Sequence, residues 1–144
     1  MITSAITKSF VTEIGQALHN ISSGGDTFKC ALYTSSATLN ADTTVYSSTN
    51  EVTGTNYTAG GEELTNNDPT QSNGKGLYDW DDLTFSNITI TGIRGALIYN
   101  STNGNRAVAV LDFGSIYSPS EQDFVISFPS VTSTTAIIRI EPNG

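Results

Sequence analysis

The sequence predicts a mainly β domain: an antiparallel β-sandwich, with a jelly roll as one form it can take, and one N-terminal amphipathic helix. Many short apolar runs alternate as strands do, and clusters of Gly, Pro, Asn and Ser separate them. A length of 144 residues suits one domain with a substantial core. We therefore assign residues 1–144 to a single domain, in which 1–25 form the helix and its cap and 26–144 form the sandwich.

The most strongly patterned stretch is Ile93–Gly114, which reads as two strands joined by a turn. In each strand, the residues that would point to opposite sides are both apolar or aromatic, as in Ala96-Leu97-Ile98-Tyr99. This pattern indicates strands that are covered on both faces, in the middle of a sheet. Asn103-Gly104 in the joining segment can supply the positive φ angles of a tight turn.

A helical pattern covers Thr3–Ile21, with Thr3 or Ser4 as its N-cap and Ser22–Gly25 as its end. Apolar residues recur at spacings of three and four on one predicted face: Ile6, Phe10, Ile14, Leu18 and Ile21. Two interpretations stay open, because such a helix can pack across its own sheet or dock on a partner subunit.

Further strands are predicted by alternating apolar residues, and the chain trails off after the last of them. They are Phe28–Thr34, Tyr78–Ile90, Phe124–Phe128 and Ala136–Ile140. In the second of these the expected inward residues are Trp80, Leu83, Phe85, Ile88 and Ile90.

The polar stretch 35–76 is predicted as a long loop that is functional or holds a partner. Within it, Thr44–Tyr46 and Glu62–Thr65 could form short strands. Its last part, Asn66–Gly76, has the composition of a mobile loop, and Ser115–Asp123 is a further predicted polar loop.

Composition excludes several functions. A formal net charge of −8 and a pI near 4.2, with six scattered basic residues, argue against nucleic-acid binding. The single cysteine, Cys30, rules out an intrachain disulfide and a cysteine-based metal site, and it lies in a strand-like run that predicts a buried, inert thiol. No stretch is apolar enough for a signal peptide or a membrane span, so we expect synthesis and folding in a cytoplasm.

Candidate chemical groups are few. Asp79, Asp81 and Asp82 flank Trp80 and could ligate Ca²⁺ or act as acid and base, although an acidic turn before a strand explains them as well. The lone histidine, His19, has no Ser, Cys or second His beside it. No nucleophile elbow, phosphate-binding loop or dinucleotide fingerprint is present. The residues therefore predict no enzyme and no cofactor.

Several segments together resemble a family of small virion proteins of tailed bacteriophages. Two strings carry the resemblance, Phe28–Leu39 (FKCALYTSSATL) and Asn50–Gly61 (NEVTGTNYTAGG), together with the strands of Ile93–Gly114 and the two closing strands. Asn56 stands where the second string usually has Gly. The resemblance implies a capsid decoration (cement) protein on the virion surface that binds the major capsid protein, with a tail or neck component as the alternative. It also implies no enzyme and no cofactor. For a protein that binds a symmetric lattice we expect a homo-oligomer, with a trimer favoured, and the composition argues against nucleic-acid or membrane partners.

We predict that partner contacts are made by the helix and by the long loop. The candidate contact residues are Ile6, Phe10, Ile14, Leu18, Tyr46 and Tyr57. A receptor- or carbohydrate-binding sandwich is a further alternative, in which Tyr46, Tyr57 or Tyr117 would stack on sugar rings.

Overall fold

The computed structural model describes residues 1–142 and is 43% strand and 4% helix. Asn143 and Gly144, which follow the last predicted strand, lie outside the described residues. Within 1–142 the helix and strands are β1 Ala5–Ile6, α1 Lys8–Glu13, β2 Phe28–Tyr33, β3 Gly54–Thr55, β4 Glu62–Glu63, β5 Thr70–Ser72, β6 Lys75–Tyr78, β7 Leu83–Ile90, β8 Ile93–Asn100, β9 Arg106–Tyr117, β10 Gln122–Ile126 and β11 Ile138–Ile140.

The strands form three antiparallel sheets, which confirms the predicted mainly β, antiparallel class. The largest sheet has five strands in the order β1-β9-β8-β2-β4. Two three-stranded sheets have the orders β10-β7-β3 and β11-β6-β5. Apolar residues of the large sheet and of the β10-β7-β3 sheet share one core, so these two sheets lie face to face in a sandwich-like arrangement.

The central strands of the five-stranded sheet, β2, β8 and the first half of β9, are buried on both faces. On one face Phe28, Cys30 and Ile98 join the main core, and on the other Tyr33 and Leu97 join a second apolar cluster. Ile2, Ala37 and Leu39, from the N-terminal segment and the loop after β2, complete that cluster. The prediction of a strand pair covered on both sides is therefore confirmed, and β8 occupies the centre of the sheet.

Strands β8 and β9 form an antiparallel hairpin, in which Asn100↔Arg106 is the residue pair next to the turn. Positive φ angles occur in its turn at Gly104 (67°) and Asn105 (55°) rather than at Asn103. The second predicted strand ends later than expected, because β9 continues to Tyr117 through residues that the sequence assigned to a polar loop.

The inward residues predicted for Tyr78–Ile90 are confirmed. All five have relative exposures of 8% or less: Trp80, Leu83, Phe85, Ile88 and Ile90. The segment is divided between β6 and β7, and Asn87 adopts a positive φ of 47°. This irregularity changes the parity of the alternation, so that both Phe85 and Ile88 point into the core.

The N-terminal helix is much shorter than predicted, and the prediction of Thr3–Ile21 is corrected. Ile6 lies in β1 and pairs with Ala109 of β9. The N-cap of α1 is Thr7, not Thr3 or Ser4, and its side chain accepts a hydrogen bond from the Phe10 amide. The helix covers only Lys8–Glu13, and Ala17 beyond it has a φ of 61°, which no right-handed helix allows. The apolar spacing persists because a strand, one helical segment and the chain beyond it carry Ile6, Phe10, Ile14 and Ile21 to the main core, which Leu18 does not join.

The stretch 35–76 is not one loop but contains β3, β4 and β5 and the start of β6. Of its two possible strands, Glu62–Glu63 is confirmed as β4, whereas Val45 makes an isolated bridge to Arg106. The predicted mobile part forms the β5–β6 hairpin, whose turn residues Asn73 and Gly74 have φ of 50° and 76°. Among residues 1–142, no helix is long and apolar enough to cross a membrane.

Candidate protein-interaction surface

An aromatic cluster lies where the end of β9 meets β10. The rings of Phe113 and Phe124 pack edge to face with centroids 5.7 Å apart, and Tyr117 lies 5.9 Å from Phe124. Phe124 also contacts Phe85 of the main core, with centroids 6.5 Å apart. The cluster is thus anchored to the core on one side and open to solvent on the other.

A groove runs along this cluster, between the end of β9 and β10. We call it the Phe124 groove; it is lined by Phe113, Tyr117, Phe124, Val125, Ile126 and Ser127. A neighbouring depression shares Phe113, Ile126 and Ser127 and extends the same groove to Leu111, Phe128 and Ile137. The two depressions therefore share a wall formed by Phe113, Ile126 and Ser127.

Large apolar side chains at this groove are exposed. The relative exposure is 57% for Ile116, 45% for Tyr117 and 51% for Val125. Tyr117 and Val125 line the groove and Ile116 precedes Tyr117 in β9, and exposed apolar residues grouped in this way can mark a site of interaction with another macromolecule.

A bulge in β9 positions the aromatic side chains. The pairing with β8 moves from Gly95↔Asp112 directly to Ile93↔Tyr117, so four residues of β9 lie opposite Arg94 alone. Arg94 holds the bulge through its Nε, 2.7 Å from Asp112 Oδ1, and Gly114 N donates to the same oxygen over 2.9 Å. The Arg94 guanidinium lowers the pKa of the Asp112 carboxyl, which therefore stays charged. Bulges bend a strand away from its sheet, and here the bend carries Phe113 and Tyr117 to Phe124 of the other sheet.

Two exposed carboxylates lie beside the groove. Asp112, which lines its extension, is paired with Arg94, so its charge is balanced. Asp123 on β10 and Glu121 just before that strand are exposed, and residues 107–138 contain no Lys or Arg. Glu121 and Asp123 therefore leave negative charge along β10, next to the apolar groove.

The two loop tyrosines predicted as contacts, Tyr46 and Tyr57, are partly buried and both donate hydrogen bonds to Glu51, each over 2.6 Å. Tyr46 also stacks on Tyr99, with ring centroids 4.6 Å apart. These side chains hold the loop together and are not open stacking platforms. Of the three tyrosines considered for sugar binding, only Tyr117 is exposed.

The predicted apolar face of the N-terminal segment packs on this chain's own core. Phe10 is 1% exposed and buried within the core, and the partly buried Ile6 and Ile14 pack against it. Leu18 lies outside the helix and is half-buried. These four residues do not form an exposed face in this structure. Val11 is the exposed apolar side chain of α1, at 65%.

His19 is buried between aromatic rings, with its ring centroid 5.0 Å from Phe10 and 6.1 Å from Phe28. Its Nδ1 lies 3.2 Å from the Asn100 amide nitrogen, and its Nε2 lies 3.6 Å from Glu13 Oε2. Arg106 Nη1 donates to the same Glu13 oxygen over 2.8 Å. This arrangement joins the segment after α1 to the β8–β9 hairpin, so the polar groups serve the fold.

The three aspartates near Trp80 do not converge on one point. Asp82 Oδ1 accepts a hydrogen bond from Phe128 N over 2.8 Å, and Asp81 Oδ1 accepts one from Asn67 over 3.1 Å. Asp79 Oδ1 is buried without a hydrogen-bond partner, and burial raises the pKa of this carboxyl. Within residues 1–142, no three His, Cys, Asp or Glu side chains are grouped as metal ligands would be.

No protein-family model, no curated protein and no solved structure matches this chain. Sequence reasoning did not select Phe113, Ile116 or Val125 as site residues. A signal was present, because Val125 falls on the outward face of the alternating run Phe124–Phe128 and is apolar where a solvated strand would be polar.

Proposed function

We propose that this chain is a non-enzymatic virion structural protein of a tailed bacteriophage, a decoration protein that binds the lattice of the major capsid protein and stabilises the head. The observation that supports it best is the Phe124 groove, an exposed aromatic surface on an acidic β domain. The resemblance of the FKCALYTSSATL and NEVTGTNYTAGG strings to small virion proteins points to the same class.

The acidic side chains of Glu51 and Asp82 form hydrogen bonds with other groups of the same chain, which also supports a binding role without catalysis. Glu51 is held by two tyrosine hydroxyls, and Asp82 accepts a backbone amide. Such groups stabilise loops and turns, which leaves apolar contact as the main property that the surface offers to a partner.

In this proposal the protein acts by mass action. A protein that binds the assembled shell better than free capsid subunits shifts the equilibrium towards the intact shell. Modest contacts are repeated at every equivalent lattice position, so their sum is large, and a trimer on local threefold axes is the assembly we expect.

The test is the copy number of this chain in purified virions of its source, measured by quantitative mass spectrometry against the most abundant shell protein. Hundreds of copies per particle are expected for a decoration protein. A dozen or fewer would overturn the capsid assignment in favour of a neck or tail component. Absence from the particle would overturn the virion assignment altogether.

A further inference from the structure

We propose that the Phe124 groove binds an extended segment of the capsid protein that carries apolar and basic side chains and adds to the free edge of β10 as an extra strand. This inference rests on the proposed function and specifies which surface meets the shell and what chemistry the partner presents. It differs from the sequence prediction, which placed the contact on the N-terminal helix and the long loop.

The free edge of β10 is the first support. β10 pairs with β7 on one side, and it is the outermost strand of its sheet, so no strand within 1–142 pairs with its other side. An unpaired strand edge presents a row of amide and carbonyl groups that another extended chain can pair with.

The groove beside that edge is the second support. It is lined by four consecutive residues, Phe124–Ser127, and its opposite wall is the end of β9 with Phe113 and Tyr117. A strand added to β10 would point alternate side chains into this groove, where the aromatic rings would cover them. Strand pairing would supply affinity and the aromatic pocket would supply selectivity.

The charge of the walls specifies the partner further. Because Glu121 and Asp123 are exposed on and beside β10, while Asp112 is already paired with Arg94, Lys or Arg on the incoming segment would be attracted and acidic residues repelled. A second copy of this chain is a poor occupant for the same reason, since its net charge is −8 and four of its six basic residues already pair with carboxylates: Lys8, Lys75, Arg94 and Arg106.

Three variants with the same substitution compare three surfaces. Val125→Lys places a positive charge on the exposed side of β10 beside the groove, Val45→Lys on the long loop and Val11→Lys on α1. The three valines are similarly exposed, at 51%, 49% and 65%, so each replacement should leave the fold intact, which circular dichroism and thermal melting would verify.

The measurement is co-sedimentation of full-length protein with shells assembled from the major capsid protein, at two salt concentrations. We expect Val125→Lys to weaken binding by roughly tenfold or more, because an exposed apolar contact of the interface is replaced by a positive charge that repels the basic side chains of the segment. Val45→Lys and Val11→Lys should bind like the wild type. Wild-type binding should weaken as salt is raised.

Hydrogen exchange provides a readout of strand addition. The amides of 122–126 should exchange more slowly when shells are bound, since the added strand protects the edge of β10. Unchanged exchange in β10 together with protection of α1 or of the long loop would overturn the proposal.

Failure of the inference is distinguishable from failure of the proposed function. If wild-type protein binds shells and Val125→Lys binds equally well, the groove assignment is wrong while the decoration function stands. If the wild type does not bind shells at all, both are wrong. If Val125→Lys instead converts an oligomer of this chain to a monomer, the groove is a contact between copies and the inference is overturned.

Discussion

The hydroxyl group of Tyr57 lies 2.6 Å from Oε1 of Glu51 and donates a hydrogen bond to it. The same oxygen accepts from Gly60 N over 2.7 Å, and Oε2 accepts from the Tyr46 hydroxyl over 2.6 Å. Tyr57 in turn accepts a hydrogen bond from Leu32 N of β2. One carboxylate thus ties separate parts of the long loop to the central sheet, and this arrangement accounts for Glu51, Tyr57 and Gly60 of the NEVTGTNYTAGG string.

Glu51→Ala should lower the free energy of unfolding by about 2–4 kcal/mol, because three donors lose a charged acceptor. Burial and the hydrogen bond to Glu51 raise the pKa of Tyr57, so its hydroxyl keeps its proton and remains a donor in mildly alkaline solution. Urea denaturation would measure the loss. Glu63→Ala, at an exposed position on β4, is the control and should change stability by less than about 0.5 kcal/mol. Equal effects of the two changes would refute this role of Glu51.

Gly61→Ala should destabilise the protein far more than Gly74→Ala. Both glycines have positive φ, 78° and 76°, so the backbone strain of a replacement is matched. A Cβ at Gly61 would lie 1.8 Å from the Cys30 carbonyl oxygen, whereas one at Gly74 would meet nothing within 4 Å. We expect a loss of about 1–2 kcal/mol at Gly74 and of at least about 3 kcal/mol at Gly61, both from urea denaturation. Similar losses at both positions would show that the close approach to β2 is not tight.

Cys30 should be unreactive in the native protein. Its side chain is fully buried, as the sequence predicted, and burial raises the pKa of the thiol to about 12. Because the thiolate is the reactive form, labelling by a thiol reagent at neutral pH should proceed only through unfolding. The rate should rise with urea in step with the unfolded fraction, and one thiol per chain should react in full denaturant. Rapid labelling in buffer alone would contradict the buried position.

Acidification should destabilise the fold through His19. Burial lowers the pKa of this imidazole from its ordinary value of 6.5, although Glu13 and Asp26 oppose the shift. The native state then binds fewer protons than the unfolded state, so stability is complete above the unfolded pKa and falls as pH drops towards the lowered native pKa. Urea denaturation at pH values from about 7 down to about 5 would measure this decline, since most carboxyl groups titrate below that range.

His19→Gln is the variant that isolates this effect. It removes the titrating group, so the dependence of stability on pH should become flatter between about pH 5 and 7, whatever the variant's absolute stability. An unchanged slope would assign the pH dependence to other groups.

Much of the fold follows from local pattern. The alternation in Ile93–Gly114 and the inward set from Trp80 to Ile90 predict buried strands that the structure confirms. The β5–β6 hairpin was predictable as well, because Asn73-Gly74 is a strong turn signal that we assigned instead to a mobile loop.

The N-terminal helix shows where local pattern is insufficient. A spacing of three and four residues describes which side chains reach the core, but it does not require the backbone between them to stay helical. Here Ile6 pairs with β9, and Glu13 is bound by Arg106, which is distant in sequence. These long-range contacts outweigh the weak intrinsic preference for continuing the helix.

The sequence by itself determined the mainly β class, the buried central strands, the inert cysteine and the acidic character of this protein. These properties depend on residue type and short-range alternation. Only the tertiary structure decided that Tyr46 and Tyr57 bind Glu51 within the loop, and that Phe113, Tyr117 and Phe124 form an exposed groove. The physical reason is that both arrangements join residues from strands of different sheets or from distant parts of a loop. Their proximity depends on the bulge in β9 and on how the sheets pack, which no local pattern encodes.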